Sequence, residues 1–421
     1  MAEQTMPGAA DNVVVLAYLL DGPLDATLLD AALQDVVRGH PALRTVYRWT
    51  GRLPEQFALD PATARVRLER RTVPEDCSDP VELARLVTAD WWRRPFDLER
   101  EVSLRARLCR LAEDRHLLCL NIHHVAFDGW SEQRLVETLG AAYRERAAGR
   151  VLAWPSGPSY ADYSRWERRG LKQWAEEELP FWRQTLRRPT APVLPAPGST
   201  GETARRDLVA RVPAAEVAAL AGVARRHGGP AVTALLAAVG RGLGRTFDVA
   251  DVCLGTVTAG RPHPDLDDVV GYFVNPLVVP VAGVRDEPAG ALLDRVVEQT
   301  AAAMRHGRLP FDELVRVLAP PRDRHPWFQV WVVVQHAPPS GAFAGGIALR
   351  AVRVPAPTTA LELMFEAFPQ PDGGWELVML RRSDGIDDET AGGLFGAVRI
   401  AMAELAGELA AEARANQDRE C

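Results

Sequence analysis

The sequence predicts a chain of mixed helices and strands in two parts, on three observations. Its 421 residues exceed one average domain. Segments of helical period and short β-like runs recur on both sides of the midpoint. Between them lies PTAPVLPAPGST, Pro189 to Thr200, whose prolines and small residues favour an extended linker. The division expected is an N-terminal lobe over 1–170, a connecting helix and Pro-rich linker over 171–200, and a C-terminal lobe over 201–421.

Composition narrows the class. With 47% hydrophobic and 25% charged residues the chain has the profile of a soluble globular protein. A net charge of −7 argues against nucleic acid as the main partner, because phosphate binding needs a concentrated excess of Lys and Arg. Lys172 is the only lysine, and Ala, Gly and Pro are abundant, which reads as coding bias. Cys77, Cys109, Cys119, Cys253 and Cys421 are scattered, odd in number and without a CxxC pair, so neither a disulfide framework nor a zinc site is expected. A reduced, cytoplasmic setting fits that usage. An acidic residue stands where a signal peptide would be basic, and the apolar run Val13 to Leu20 is too short to span a bilayer, so no membrane association is expected.

In chain order, a first helix is expected from Leu24 to Arg38, with Asp25 near its cap, Leu29, Leu33, Val36 and Val37 on one face, and Gly39 as its stop. Arg44 to Arg48 reads as a strand. Asp79, Pro80 and Glu82 carry the spacing of a helix start, and that helix ends before Pro95. Leu104–Leu111 and His116–Ile122 flank the turn Glu113-Asp114-Arg115 as a hairpin. A helix follows from Ser131 to about Ala148, and two aromatic-rich helical stretches reach about Leu186. Beyond the linker, helices are expected near 213–227, 230–245, 288–306 and 388–413. Strands are expected near 251–257, 271–281, 327–335, 347–354, 360–368 and 375–381.

The segment between hairpin and helix is His123-His124-Val125-Ala126-Phe127-Asp128-Gly129-Trp130. On an extended segment adjacent side chains point to opposite faces, so His123 and His124 would not converge on one metal ion. One imidazole faces a pocket and the other the packing behind it. A ring near its ordinary pKa of about 6.5 can accept a proton from an attacking amine or hydroxyl, an effect worth on the order of 10²–10⁴-fold. Asp128 either orients a histidine or pairs with an arginine to hold the loop. Gly129 allows backbone to approach a ligand closely.

These residues resemble a family. HHVAFDGWS, His123 to Ser131, is similar to the HHxxxDG signature of nonribosomal peptide synthetase condensation domains, and further similarities follow in the family's order: RGHPALRTVY (Arg38 to Tyr47), RPFDL (Arg94 to Leu98), SYADYSRW (Ser159 to Trp166), GTVTAGRPHPDLDDVVGYFVNPLVV (Gly255 to Val279), RLPFDELV (Arg308 to Val315) and RDRHPWFQV (Arg322 to Val330). The resemblance covers nearly the whole chain.

It implies an α+β fold of two chloramphenicol-acetyltransferase-like lobes arranged as a V-shaped pseudo-dimer, with the histidine loop in a central tunnel. It further implies a free-standing acyltransferase of secondary metabolism and antibiotic biosynthesis. An acyl or aminoacyl group would pass from the phosphopantetheine thioester of a peptidyl or acyl carrier protein to an amine or a hydroxyl. His124 is then the catalytic histidine and His123 its supporting neighbour, with Asp128 mainly architectural in a salt bridge with Arg261. Gly129 offers its N–H near the developing oxyanion. Trp130 and Ser131 support the loop, and Asn275 is either a substrate contact or a structural strand-end amide. No permanently bound cofactor and no metal is implied. The chain shows no Gly-Gly-x-Ser carrier motif and has no room for an adenylation domain, so carriers act in trans, with Arg93, Arg94 and the 165–169 cluster as docking candidates.

Three departures bear on substrate range: no S-x-A-Q-x-R-L-W segment stands upstream of the first helix, Pro276 stands where Thr is usual, and RRSDGID replaces the late N-x-x-L-F-D pattern. Competing readings are a coenzyme-A-dependent acyltransferase of the same superfamily, an epimerization domain, and a catalytically silent carrier-docking module.

Overall fold

The structure, a computed structural model, describes residues 12–51, 54–72, 79–187, 193–196, 203–320 and 326–420, with side chains up to residue 407. Cys77, Cys421, Arg322, Asp323 and most of the Pro-rich linker lie outside the described residues.

The elements in chain order are β1 (Val13–Asp21), α1 (Ala26–Gly39), β2 (Thr45–Trp49), β3 (Pro54–Ala58), β4 (Leu68–Thr72), α2 (Pro80–Thr88), β5 (Leu104–Ala112), β6 (Arg115–His123), α3 (Gly129–Ala147) and α4 (Tyr160–Thr185). There follow β7 (Thr203–Val212), α5 (Ala214–Arg226), α6 (Ala231–Phe247), β8 (Val252–Thr258), β9 (Asn275–Val281), α7 (Ala289–Arg305), α8 (Phe311–Leu318), β10 (Val330–Val334), β11 (Ser340–Ala344), β12 (Ile347–Val352), β13 (Thr358–Thr359), β14 (Leu363–Pro369), β15 (Trp375–Arg382) and α9 (Asp388–Glu420).

Two compact units result, and they are not contiguous in sequence. The first takes Met1–Arg169 together with Arg261–Phe273 and Pro338–Pro357, and the second takes the remainder. Two stretches of the expected C-terminal lobe over 201–421 fall in the first unit.

In the first unit the sheet runs β11-β12-β1-β6-β5-β4. Strand alternation gives β6 two different faces. Leu118, Leu120 and Ile122 meet Leu29, Leu33 and Val36 of α1 and Leu135 and Leu139 of α3. Leu117 and Cys119 meet Leu83 and Ala84 of α2 and Trp91. Both first helices are capped where the sequence places caps. The Asp25 carboxylate accepts from Thr27 N (2.7 Å) and Leu28 N (3.2 Å), and that of Asp79 accepts from Val81 N (3.0 Å).

The second unit's sheet runs β13-β7-β15-β14-β10-β8-β9, parallel where β10 meets β8 and β14. Its core centres on α6, buried from Thr233 to Gly244. A Cβ at Gly242 would stand 2.4 Å from Val398 Cγ2 on α9, so glycine permits that close approach.

Three local expectations change. The two aromatic-rich stretches are one helix, α4, with Pro180 inside it. β7, whose sequence TARRDLVARV is too polar to read as a strand, pairs along its length with β15. β9 begins at Asn275 and not at 271, because side chains of the first unit hold the backbone of Gly271 and Phe273.

Candidate functional site

β6 ends at His123, and a single 3₁₀ turn, His124–Ala126, leads through Phe127 to the N-terminus of α3. The two imidazoles hold opposite tautomers. Val125 N donates to His123 Nδ1 at 3.1 Å, so the proton of a neutral His123 ring is on Nε2. His124 Nδ1 lies 2.7 Å from the Phe127 carbonyl, which can only accept, so Nδ1 carries the proton and Nε2 presents a lone pair. Burial of the His124 ring pulls its pKa below the ordinary histidine value, against the opposing pull of the Phe127 carbonyl. The neutral, proton-accepting form therefore prevails at neutral pH.

Asp128 is a hub whose carboxylate pairs with an arginine. Its Oδ1 accepts from Ser131 N (2.9 Å) and Ser131 Oγ (2.7 Å), and its Oδ2 accepts from Phe273 N (3.0 Å). Arg261 Nη2 reaches both oxygens, at 3.1 and 3.2 Å, while Arg261 Nη1 donates to the carbonyls of Leu266 and Val269. The guanidinium stacks 3.9 Å over the Phe273 ring. Ser131 Oγ also accepts from Gly271 N at 3.1 Å. One carboxylate and one hydroxyl thus cap α3 and clamp the 271–273 segment against it.

That clamp brings in a residue the sequence reading passed over. Tyr272, between the pinned Gly271 and Phe273, sets its ring edge-on to His124, with centroids 5.2 Å apart and planes at 89°. Its carbonyl accepts from Tyr160 Oη at 2.8 Å. The only signal in the sequence was its position between two residues of a quoted motif.

Of the other expected site residues, Gly129 is exposed and opens α3, where the first-turn N–H groups and the helix dipole favour negative charge. Trp130 Nε1 donates to the Asp267 carbonyl at 3.1 Å. Asn275 belongs to the second unit. Its Nδ2 donates to the carbonyls of Gly307 and Leu309, both at 3.0 Å, and its Oδ1 accepts from Phe311 N at 2.9 Å. Both amide protons are thereby engaged in holding the turn that starts α8. Among the described residues no group of three or more His, Cys, Asp or Glu is placed to hold a metal ion, and no helix is long and apolar enough to cross a membrane.

The model of the condensation domain family matches residues 1–357. The chain belongs to the condensation domain family. It is similar to a condensation domain's worth of much longer relatives. It is 37% identical over 348 residues to a probable non-canonical nonribosomal peptide synthetase, CymA, of Salinispora arenicola, covering 80% of this chain and 4% of that protein. It is 32% identical over 376 residues to the isonitrile lipopeptide synthase of Mycobacterium tuberculosis, covering 85% of this chain and 15% of that protein. The chain thus spans a small fraction of these curated relatives. Among solved structures, the first condensation domain of the calcium-dependent antibiotic synthetase shares the fold, with a TM-score of 0.82 at 22% identity over 96% of this chain and 94% of the other. The X-domain from teicoplanin biosynthesis gives a TM-score of 0.78 at 25% identity, over 95% and 90%. Both agree with an α+β architecture of two acetyltransferase-like lobes. Membership of the condensation domain family associates the chain with acyl transfer in secondary metabolism.

Proposed function

We propose that this condensation domain transfers an acyl or aminoacyl group from the phosphopantetheine thioester of a carrier protein, supplied in trans in the cytoplasm, to an amine or a hydroxyl. The observation that carries the reading is the His124 tautomer: Nδ1–H is committed to the Phe127 carbonyl, so Nε2 is the basic nitrogen.

The acceptor nitrogen or oxygen attacks the thioester carbonyl, and His124 Nε2 takes its proton or holds it in position. The carbonyl π electrons move to oxygen, and the N–H groups that open α3 at Gly129 are the candidate donors for that oxyanion. Collapse breaks the carbon–sulfur bond, and the imidazolium returns the proton to the departing thiolate. The products are an amide or ester and a free pantetheine thiol. Asp128 and Arg261 touch neither reactant in this scheme; they hold the loop. Pantetheine is substrate, carried by the partner, and the chain needs no resident cofactor for these steps.

A silent docking role is the second reading, favoured by one observation. A solved relative, 26% identical with a TM-score of 0.78, is the teicoplanin X-domain in complex with OxyB. The deciding experiment loads a carrier protein with an aminoacyl thioester, adds a panel of amines and alcohols, and follows product by intact-protein mass spectrometry for wild type and His124→Ala. Product that collapses in the variant supports condensation and reveals the bond formed. Transfer only from acyl-coenzyme A points to the coenzyme-A-dependent alternative, and no transfer by either protein points to docking.

A further inference from the structure

On the α2 side of the first unit's sheet, the ends of β5 and β6 nearest the histidine loop carry four polar side chains in one patch. Asn121 and His123 follow Leu117 and Cys119 in alternation on β6. Arg105 faces Asn121 across the ladder, and Ser103 faces His123, whose N–H donates to the Ser103 carbonyl at 3.0 Å. Directly opposed residues share a face of the sheet, so these four side chains adjoin one another.

Phe96 covers them. Its ring stands edge-on to His123 with centroids 5.8 Å apart, and the Arg105 guanidinium lies 3.9 Å over it. Most of the group is sealed: Ser103 and Asn121 are 0% exposed, His123 5% and Phe96 7%, with the Arg105 side chain at 11%. Yet Asn121 Oδ1, Asn121 Nδ2, Ser103 Oγ and Arg105 Nε are all buried with no hydrogen-bond partner among the described residues. The other Arg105 nitrogens are committed to the carbonyls of Arg94 and Pro95 and to Glu101. Buried polar groups left in such a state are rare, and a cluster of complementary donors and acceptors is the usual setting of an ordered internal water.

We infer that Asn121, Ser103 and Arg105 form a buried water site behind the histidine loop, and that Asn121 is a positioning residue which, through that water, braces the strand end carrying His123. The four atoms match one water: it accepts from Arg105 Nε–H and from Asn121 Nδ2–H, and donates to Asn121 Oδ1 and Ser103 Oγ. The strand end that carries His123 is thereby braced. His123 in turn receives Val125 N–H and so sets the 3₁₀ turn on which His124 is mounted. A slack Asn121 tilts that turn and loosens the bond from His124 Nδ1 to the Phe127 carbonyl. The role in catalysis rests on the condensation reading, whereas the water site does not.

The test combines a crystal structure of the full chain at a resolution that shows ordered water with ring-nitrogen NMR of His123 and His124 in wild type, Asn121→Leu and Asn121→Ser. Ordered solvent within hydrogen-bonding distance of Asn121 and Ser103 is expected. Asn121→Leu, close in shape but unable to bind water, should change the His123 ring signals and displace the pH titration of His124. Asn121→Ser, which keeps a polar group and leaves room for a second water, should restore part of the wild-type pattern. In the condensation assay kcat should fall by about tenfold to 10²-fold in Asn121→Leu with KM little changed, the scale of a slightly misplaced catalytic group. A dry site in which the side chains bond directly to one another would overturn the inference, as would unaltered ring signals in Asn121→Leu. If wild type proves inactive in condensation, that reading fails, while the crystal and NMR results still decide the water site.

Discussion

Arg261 Nη2 sits 3.1 and 3.2 Å from the two carboxylate oxygens of Asp128, with the side chains 2% and 0% exposed. The residues are 133 positions apart in the chain, and their pairing joins the histidine loop to a stretch of the chain's second half that the first unit borrows. Leaving either charge buried alone costs about 3–5 kcal/mol. Asp128→Ala and Arg261→Leu should each lose stability on that scale in urea unfolding, and the double variant should lose clearly less than the sum. Activity lost by these variants should follow the loss of folded protein at the assay temperature. A full loss of activity with unchanged stability would instead give Asp128 a direct part in the chemistry.

His124→Ala removes the basic nitrogen and leaves the Asp128 hub intact. We expect kcat to fall by roughly 10²–10⁴-fold, the range of general base catalysis. The unfolding midpoint should stay close to wild type, because the ring bonds to one backbone carbonyl and packs edge-on to the Tyr272 ring.

Tyr272→Ala tests the aromatic wall beside His124. An edge-to-face pair is worth about 0.5–1.5 kcal/mol, so the expected loss is about two- to twelvefold in kcat/KM. Tyr272→Phe, which keeps the ring, should retain most activity unless the hydroxyl meets the acceptor. Comparing both variants across the acceptor panel separates these roles.

His40 makes stability depend on pH. The ring is buried at the end of α1, 3.1 Å from Thr138 Oγ1 and edge-on to Trp154, and burial together with the Arg134 charge lowers its pKa to about 4. The unfolded chain takes up the proton near pH 6.5 and the folded one only near 4, so the unfolded state binds more protons between those values. Stability is therefore complete above about pH 6.5 and falls as the pH drops towards 4, by up to about 3 kcal/mol from this group. Urea unfolding of wild type and His40→Gln over that range should show a steeper loss in wild type.

Asn275→Ala should destabilise by about 1–3 kcal/mol, the cost of leaving the buried backbone partners at Leu309 and Phe311 unpaired. Because both amide protons are engaged there, KM for either substrate should move little. A large rise in KM with wild-type stability would restore the substrate-contact role.

Much of the local structure was legible in residue order. The caps at Asp25 and Asp79, the β5–β6 hairpin and the helix after the histidine pair follow from side-chain period and capping chemistry, which act over a few residues. His123 and His124, which the alternation argument separates, meet the backbone in opposite senses, one ring accepting from Val125 N and the other donating to the Phe127 carbonyl. β7 was not legible, because its polar sequence acquires strand character only by pairing with β15, some 170 residues later.

The sequence by itself determined the helix and strand inventory around the loop, the order of motifs that marks the family, and the presence of a histidine able to accept a proton. The tertiary structure decided which nitrogen of each histidine carries that proton and which carboxylate pairs with which arginine. It also decided that the Asn275 amide meets the carbonyls of Gly307 and Leu309 and that the Tyr272 ring stands edge-on to His124. The physical reason is the range of the forces involved. Period and capping are properties of neighbouring residues, whereas hydrogen-bond partners and burial at this site come from segments joined only when residues 261–273 pack into the first unit.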